Sequence, residues 1–411
     1  YNSIYIMDFR SHLNSIKNNS WNFAHAQAKK FYNLQRDDKI RFICITVILL
    51  LIITIIYYIH TKINLYNTNC KILKKVYNSR PTLTGIDNNS PYLLRDFYIK
   101  TAYNACASGQ FKADFVGLCA LRTCIQQGAR CLDFEIYSLN LEPVVSTSSQ
   151  SDALISSFYI KETFNSLKLS DVLYYIKYFA LESSNGGAPN FSDPLFLHFR
   201  IMTNKLQTLN LIAKYIREIL GDSLLGAAYG RNNQEISLNN KSILEFCGKC
   251  IIMVNANTTA RNDELVKGSD LWPLTNIMTG TEHYQLLRYS DVKNKNPTSL
   301  KDLSTFNKFN MTMVLPDVSH ENINFDSTKC LRVGCQFIAM NFKTFDSHLE
   351  TYFSVFGEVG FSFILKPCSL RWIPKHYLIN SEKLVNGGAC GVSMNAGRTS
   401  GSLDMPSSGT G

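Results

Sequence analysis

The sequence predicts an α/β protein: a TIM-type (β/α)8 barrel split into two halves and preceded by a single transmembrane helix. Two observations carry this prediction. An unbroken apolar run lies near the N-terminus, at Phe42–Ile59. From Tyr92 to about Trp372, short apolar runs alternate with stretches of helical periodicity, which is typical of βα units around a parallel sheet. About 280 residues of such units are enough for a barrel of eight.

The apolar run is predicted to be a membrane anchor over residues 42–60. It contains no charge and is bounded by Arg41 and His60. A helix of this length can cross about 30 Å of hydrocarbon. A cleaved signal peptide would begin much nearer the start, and a buried core helix normally shows a polar stripe. Lys and Arg are balanced on the two sides, so they do not fix the orientation.

The segments outside the anchor and the barrel are polar. Residues 1–41 are expected to be a polar N-terminal segment. Residues 61–92 are predicted to be a stalk, because turn formers such as Asp87 and Pro91 break its periodicity. The tail at 374–411 is rich in Gly and Ser, and this composition is typical of disorder.

Within the barrel region the expected boundaries are residues 93–259 for the first half, 260–305 for a linker and 306–373 for the second half. The linker is predicted because regular patterning fades into polar residues and isolated aromatics there. Helices are expected at Ser170–Leu181 and Leu211–Leu220. Four strands are predicted, at Cys131–Ile136, Leu195–Phe199, Ile251–Val254 and Gln336–Asn341.

Charge and cysteine content limit the possible partners. The net charge of +10 is spread along the 411 residues. It gives weak support to an anionic neighbour such as a lipid surface, and no nucleic-acid partner is expected. Most of the twelve cysteines lie in apolar runs, where a thiol acts as a small hydrophobe. We therefore expect the large domain on the cytosolic or another reducing side. These runs include Cys44, Cys119, Cys131 and Cys335.

Cys247 and Cys250 have CxxC spacing. They lead into the predicted strand at Ile251–Val254, and no second cysteine or histidine pair lies nearby to complete a zinc site. A structural role is therefore favoured over metal binding.

Several motifs occur in a recognisable order. Val333–Thr344 reads VGCQFIAMNFKT, and Phe361–Pro367 reads FSFILKP. Upstream, Gly128–Glu135 reads GARCLDFE and Asp193–Arg200 reads DPLFLHFR. Together they resemble the X and Y catalytic halves of eukaryotic phosphoinositide-specific phospholipase C. The resemblance spans about residues 95–260 and 306–373, which implies the same barrel split into an X-like and a Y-like half.

The resemblance implies a reaction that uses two histidines as acid and base. The first should precede an Asn, but this chain has Tyr103 before Asn104. A phenol with a pKa of about 10 is a poor base at neutral pH. The second histidine position is filled by Ser146–Ser148, with Thr147 at its centre. Hydroxyl groups cannot supply a proton near neutral pH, so both positions predict lost activity.

The family also uses Ca²⁺ held by an Asn and acidic side chains. Asn104, Asp133 and Glu135 match three of these positions, but Arg200 stands where another acidic ligand is expected. We predict that Arg200 pairs with Asp133 or Glu135 and that no metal or other cofactor binds. The family's phosphate-binding basic and aromatic positions are also changed, to Asn255, Asn257, Met313 and Leu315.

These losses favour a membrane-anchored pseudoenzyme that acts as a structural or interaction component of a larger assembly. Its expected partners are the lipid bilayer and other proteins, and the Asn-, Ile- and Lys-rich composition points to a large virus or a protist organelle. The alternative is an active membrane-tethered phosphodiesterase with an altered site, using His198 with Asp133 and Glu135. A barrel-interior His198 satisfied by a carboxylate is favoured over this role. A phosphoinositide receptor without turnover is a third hypothesis.

Overall fold

A computed structural model describes residues 21–373, except for 23–24, 30–31, 33–34, 80, 88–89, 150–159, 184–185, 232–236, 256–259 and 319–322. The chain divides into two compact units, Tyr1–Asn64 and Leu65–Gly411. The predicted tail at 374–411 lies outside the described residues, as do residues 1–20.

A long helix, α1 (Arg36–Val76), comprises 41 residues. Its most apolar stretch has a mean hydropathy of 2.9 and none of it is buried, so by length and composition it could cross a membrane. The predicted stalk is wrong in its first part, since 61–76 continue the helix. These residues contain neither Gly nor Pro, and nothing stops the helix before Val76.

The C-terminal end of α1 packs on the barrel within the second unit. Leu73 is 3% exposed, and the hydroxyl of Tyr77, just beyond the helix, donates to the carbonyl of Phe342. Cys70 forms a disulfide with Cys119. The expectation that Cys119 is a free apolar thiol is therefore wrong.

Cys368 is also disulfide-bonded. Among the described residues, the free cysteines are Cys44, Cys106, Cys124, Cys131, Cys247, Cys250, Cys330 and Cys335. Cys250 is buried, and burial raises its pKa to about 12. The Cys247 thiol is half-buried, and burial raises its pKa to about 11. Both therefore stay protonated at neutral pH.

The second unit is built on a nearly closed barrel of eight parallel strands. The barrel strands are β1 (Phe97–Ala102), β2 (Cys131–Leu139), β5 (Leu195–Met202), β6 (Cys250–Asn255), β7 (Ile277–Met278), β8 (Tyr284–Arg288), β9 (Met311–Leu315) and β10 (Phe337–Met340). Around the barrel their order is β7-β6-β5-β2-β1-β10-β9-β8. Three further strands extend the sheet: β3 (Glu142–Ser146), β4 (Leu167–Lys168) and β11 (Phe363–Leu365). The four predicted strands are confirmed, and all lie in one sheet.

The predicted linker at 260–305 is wrong, because it supplies two of the barrel strands, β7 and β8. The strand β7 has only two residues, and the strand β8 is half-exposed over four of its five positions. Short or half-exposed strands leave a weak apolar pattern, which explains why the sequence suggested a linker.

Helices surround the barrel. They are α2 (Leu118–Gln126), α3 (Leu169–Ile176), α4 (Leu206–Tyr215), α5 (Ala260–Lys267), α6 (Tyr289–Lys293), α7 (Pro297–Phe306), α8 (Thr328–Arg332) and α9 (Ser347–Val359). Each of α3 and α4 ends in a π-helical turn, at Lys177–Leu181 and Ile216–Leu220. Strand residues alternate between an apolar barrel interior and a layer beneath the helices.

Candidate functional site

The candidate site lies at the C-terminal mouth of the barrel, where β2 and β5 run side by side. Their register pairs Asp133 with His198 and Glu135 with Arg200. Residues two apart on a strand point to the same face, so these four side chains converge. Asn104 joins them from the segment after β1, at a positive φ of 42°. This end of a TIM-type barrel is where such folds carry their chemistry.

The Arg200 guanidinium lies at the centre of this cluster. Its Nε donates to Asp133 at 2.9 Å, and one terminal nitrogen donates to Glu135 at 2.8 Å. The other terminal nitrogen donates to Asp133 and to the Asn104 side chain, both at 2.8 Å. The predicted ion pair is therefore present, and Arg200 binds both carboxylates at once.

Every acceptor position on the two carboxylates is used. Asp133 accepts two bonds from Arg200, one from His198 at 2.7 Å and one from the Asn104 amide at 3.0 Å. Glu135 accepts from Arg200 and from the Asn104 side chain at 3.2 Å. Its second oxygen accepts from the hydroxyl of Tyr137 at 2.6 Å and from a backbone amide at 2.9 Å. A carboxylate has about four lone-pair sites, and all are taken on both groups.

Burial makes these contacts strong. Asp133 and His198 are fully buried, and Glu135 and Arg200 are 2% and 4% exposed. Burial raises the pKa of Asp133, but Arg200 and the His198 hydrogen bond outweigh it and hold that pKa well below its usual range. Burial also opposes the charge on Arg200, yet the Asp133 carboxylate raises the pKa of the guanidinium well above its usual value. Asp133 and Arg200 therefore stay ionised across the physiological range.

The ring of Tyr103 covers the guanidinium, with Arg200 Cζ 4.7 Å from the ring centroid. Burial raises the pKa of the Tyr103 phenol, although Arg200 partly opposes this shift. The ring therefore serves as an apolar and cation–π surface over Arg200 and cannot act as a base near neutral pH.

His198 is held from both sides. Its Nδ1–H donates to Asp133, and Nε2 lies 3.0 Å from the hydroxyl of Thr279. Both ring nitrogens have partners and the ring has no exposed surface. This matches the expected barrel-interior histidine satisfied by a carboxylate.

Thr147 does not join the cluster. Its hydroxyl donates to the backbone carbonyl of Phe111 at 3.0 Å, and Thr147 is 1% exposed. The ring of Phe111 packs edge-on against Tyr103, with centroids 5.5 Å apart. The position where the resemblance expects a second histidine is thus buried beneath the segment after β1.

Three of the remaining positions that differ from the family pattern are buried. Asn255 is buried at the end of β6, and its side chain donates to the Thr279 carbonyl at 3.3 Å. Met313 and Leu315 are each 1% exposed and form part of the apolar barrel interior. Asn257 lies outside the described residues.

Sequence reasoning missed three partners of the cluster. Tyr137 lies two residues beyond Glu135 on the same strand face, so alternation along β2 could have found it. Thr279 and Phe111 lie on segments between strands, where no periodic pattern points to the cluster. Only the folded barrel brings them to the site.

The residues present do not fit a Ca²⁺ ion. Such an ion takes six to eight oxygen ligands at 2.3–2.6 Å. Here the oxygens of Asp133, Glu135 and Asn104 instead accept N–H groups of one guanidinium. To bind the ion at this position, the site would have to displace the Arg200 guanidinium from both carboxylates. Breaking this buried ion pair would be costly.

A narrow cleft beside the cluster is lined by Leu73, Tyr103, Asn104 and Lys343 among others, and it has no space for a water-sized molecule. Ordinary small-molecule sites have volumes of roughly 300–1,000 Å³. Asp133, Glu135 and Arg200 do not line the cleft.

No protein-family model and no curated protein matches this sequence. Crystal structures of PLC21 from S. officinalis and from L. pealei match at 18% identity, with TM-scores of 0.52 and 0.53. The matches cover 68% and 69% of this chain but only 38% and 39% of those chains. A calcium-dependent phosphoinositol-specific phospholipase C from Pseudomonas sp. matches at 9% identity with a TM-score of 0.40, covering 70% of this chain and 99% of that one. At this level of identity the two PLC21 matches show the fold alone: the chain shares the TIM-barrel fold of those structures.

Proposed function

We propose that this chain is a catalytically inactive, membrane-anchored PLC-like barrel that serves as a structural or interaction component of a larger membrane-associated assembly. Arg200 is the observation that carries the proposal. A permanent cation lies between the carboxylates of Asp133 and Glu135 and uses the acceptor sites that a metal would need. Lewis-acid activation of a sugar hydroxyl therefore has no ion to supply it at this position.

The acid and base positions support the same conclusion. Tyr103 and Thr147 stand where the resemblance expects two histidines, and each is engaged in a packing or backbone contact. His198 is the group nearest to a general base, but its two nitrogens are bound to Asp133 and Thr279. A base must reach the proton that it removes, and a fully buried ring with two partners does not.

The membrane role rests on α1, whose apolar stretch is fully exposed. An exposed apolar helix about 30 Å long is unfavourable in water, and contact with lipid or with apolar partners would stabilise it. We propose that residues 42–60 anchor the barrel and that proteins of the same membrane bind its outer surface. Carbonate extraction tests the anchor: the full chain should stay with the membrane pellet, and its release into the supernatant would refute the anchor.

The activity test uses the full chain purified in detergent and vesicles containing phosphatidylinositol or its phosphates. We expect no release of inositol phosphates at any calcium concentration. Calcium-dependent release that is abolished by His198→Ala would overturn the proposal and support an active phosphodiesterase. A phosphoinositide receptor would instead give saturable vesicle binding that depends on the headgroup phosphates, without turnover.

A further inference from the structure

Residues 105–117, between β1 and α2, form a lid over the buried cluster. Phe111 packs on the Tyr103 ring, which in turn lies over the Arg200 guanidinium. The Phe111 carbonyl also accepts the hydroxyl of Thr147. Removing this segment would expose Tyr103 and, beneath it, the Arg200 cluster.

The lid is organised around one buried carboxylate. Asp114 is 6% exposed and accepts the backbone amides of Gln110 and Phe115, both at 2.8 Å. Its Oδ1 also accepts the side-chain amide of Asn69 at 2.8 Å. Since Asn69 belongs to α1, the end of that helix completes the interior of the lid.

Two further contacts join α1 to the lid. The ring of Tyr66 lies edge-on to Phe115, with centroids 6.0 Å apart. A side chain at Gly117 would place its Cβ 2.5 Å from the Tyr66 ring, so a larger residue there would force the ring to move. Next to these contacts, Cys70 of α1 is bonded to Cys119, two residues beyond the lid and in the first turn of α2.

We propose that the Cys70–Cys119 disulfide is a redox-sensitive strap that forms in an oxidising compartment and holds the lid closed over the Arg200 cluster. Non-covalent contacts at Asn69 and Tyr66 position the lid, and the disulfide prevents α1 from leaving it. The proposal does not depend on whether the barrel turns over a substrate. It places the barrel on the oxidising side of the membrane, opposite to the expectation drawn from the apolar cysteines.

The chemistry is thiol–disulfide exchange. One cysteine thiolate attacks a protein or small-molecule disulfide, which forms a mixed disulfide and releases one thiol. The second cysteine thiolate then attacks the cysteine sulfur of that mixed disulfide and releases the other thiol. One S–S bond forms between Cys70 and Cys119, two electrons pass to the oxidant, and the oxidant leaves as two thiols. A reducing dithiol reverses these steps, which would free α1 from the lid.

The chain carries its own reporters of lid opening. Cys106 lies in the lid and is 1% exposed, and Cys124 lies under it, with its Sγ 3.7 Å from the Ala105 carbonyl. Cys330 and Cys335 are buried free thiols on the other half of the barrel and serve as internal references. A thiol that is buried in the closed lid reacts with a maleimide only when the lid opens.

The test compares maleimide labelling of the full chain in micelles, resolved by peptide mass spectrometry, between wild type and the double variant Cys70→Ser/Cys119→Ser. We expect Cys106 and Cys124 to react faster on the order of tenfold in the variant, while Cys330 and Cys335 keep their rates. Cys247→Ser, which removes a half-buried free thiol elsewhere in the barrel, should leave all four of these labelling rates unchanged. If the double variant leaves the labelling rates of Cys106 and of the reference thiols unchanged, the disulfide does not hold the lid closed and the proposal is overturned.

If the double variant misfolds, the reference thiols will also react faster. Wild type titrated with a reducing dithiol then supplies the comparison, and Cys106 must become reactive as the Cys70–Cys119 bond is lost. Alkylation in intact cells before lysis tests the compartment. Recovery of Cys70 and Cys119 as alkylated free thiols would overturn the proposal, and their recovery as one disulfide-linked peptide pair would support it.

Discussion

Two buried cations, Arg200 and Lys100, lie on different strands and have opposite surroundings. Arg200 points into the barrel mouth and meets two carboxylates, which raise its pKa well above the usual value despite burial. Lys100 lies on β1 under α9, with its ammonium 4.1 Å from the ring centroid of Phe353. Burial lowers its pKa to about 7. Among the described residues, no carboxylate forms an ion pair with it.

The comparison shows that neighbouring carboxylates favour the charged form of Arg200, whereas burial disfavours the charged form of Lys100. An aromatic face attracts a cation, but the gain is small beside the cost of complete desolvation. The Arg200 cluster is therefore an integral part of the barrel mouth, whereas a charged Lys100 opposes folding.

The largest expected effect is that of Arg200→Met. It leaves Asp133 and Glu135 buried without a cation, which should lower the free energy of unfolding by about 3–5 kcal/mol. Urea denaturation of the full chain in micelles measures the change. The matched control is Arg332→Met, at an exposed position, which should lie within about 0.5 kcal/mol of wild type. If Arg200→Met and Arg332→Met both change the free energy of unfolding only slightly, the Arg200 cluster does not stabilise the barrel mouth.

Lys100→Met should instead raise the free energy of unfolding, and the size of this gain should depend on pH. The pKa of Lys100 is lower in the folded chain, so the unfolded chain binds more protons between about pH 7 and 10.5, and wild-type stability rises with pH there. Removing the amine eliminates this slope. The variant's gain in the free energy of unfolding should be larger at pH 6 than at pH 9 by about 2–3 kcal/mol.

Denaturation at the two pH values measures this difference, with Lys329→Met at an exposed position as the control. A variant that is equally destabilised at both pH values would mean that the Phe353 contact outweighs desolvation.

The smallest effect is expected for Tyr137→Phe. It removes the hydroxyl that donates to Glu135 at 2.6 Å and leaves one acceptor position unfilled. The loss should be about 1–2 kcal/mol, measured as a shift in the denaturation midpoint. Tyr178→Phe, at a ring that is 56% exposed, is the control and should be nearly neutral. A neutral Tyr137→Phe would show that Glu135 is already satisfied without the phenol.

The sequence predicted the parts of the molecule that repeat a pattern. Alternation found the strands around Asp133 and His198, and the resemblance placed Arg200 beside Asp133 and Glu135. The short strand β7 left too little pattern to be recognised. The disulfide was missed because Cys70 is 49 residues from Cys119 and was assigned to a stalk. The burial of Lys100 was also missed, since one Lys in an apolar strand does not reveal which layer covers it.

If the pseudoenzyme proposal is right, Arg200 occupies the position that a metal ion would take. A crystal structure of the full chain grown with excess Ca²⁺ would test this. We predict that the guanidinium lies between Asp133 and Glu135, at N···O distances near 2.8 Å, with no calcium density there. Calcium coordinated by Asn104, Asp133 and Glu135, with Arg200 displaced from the cluster, would contradict it.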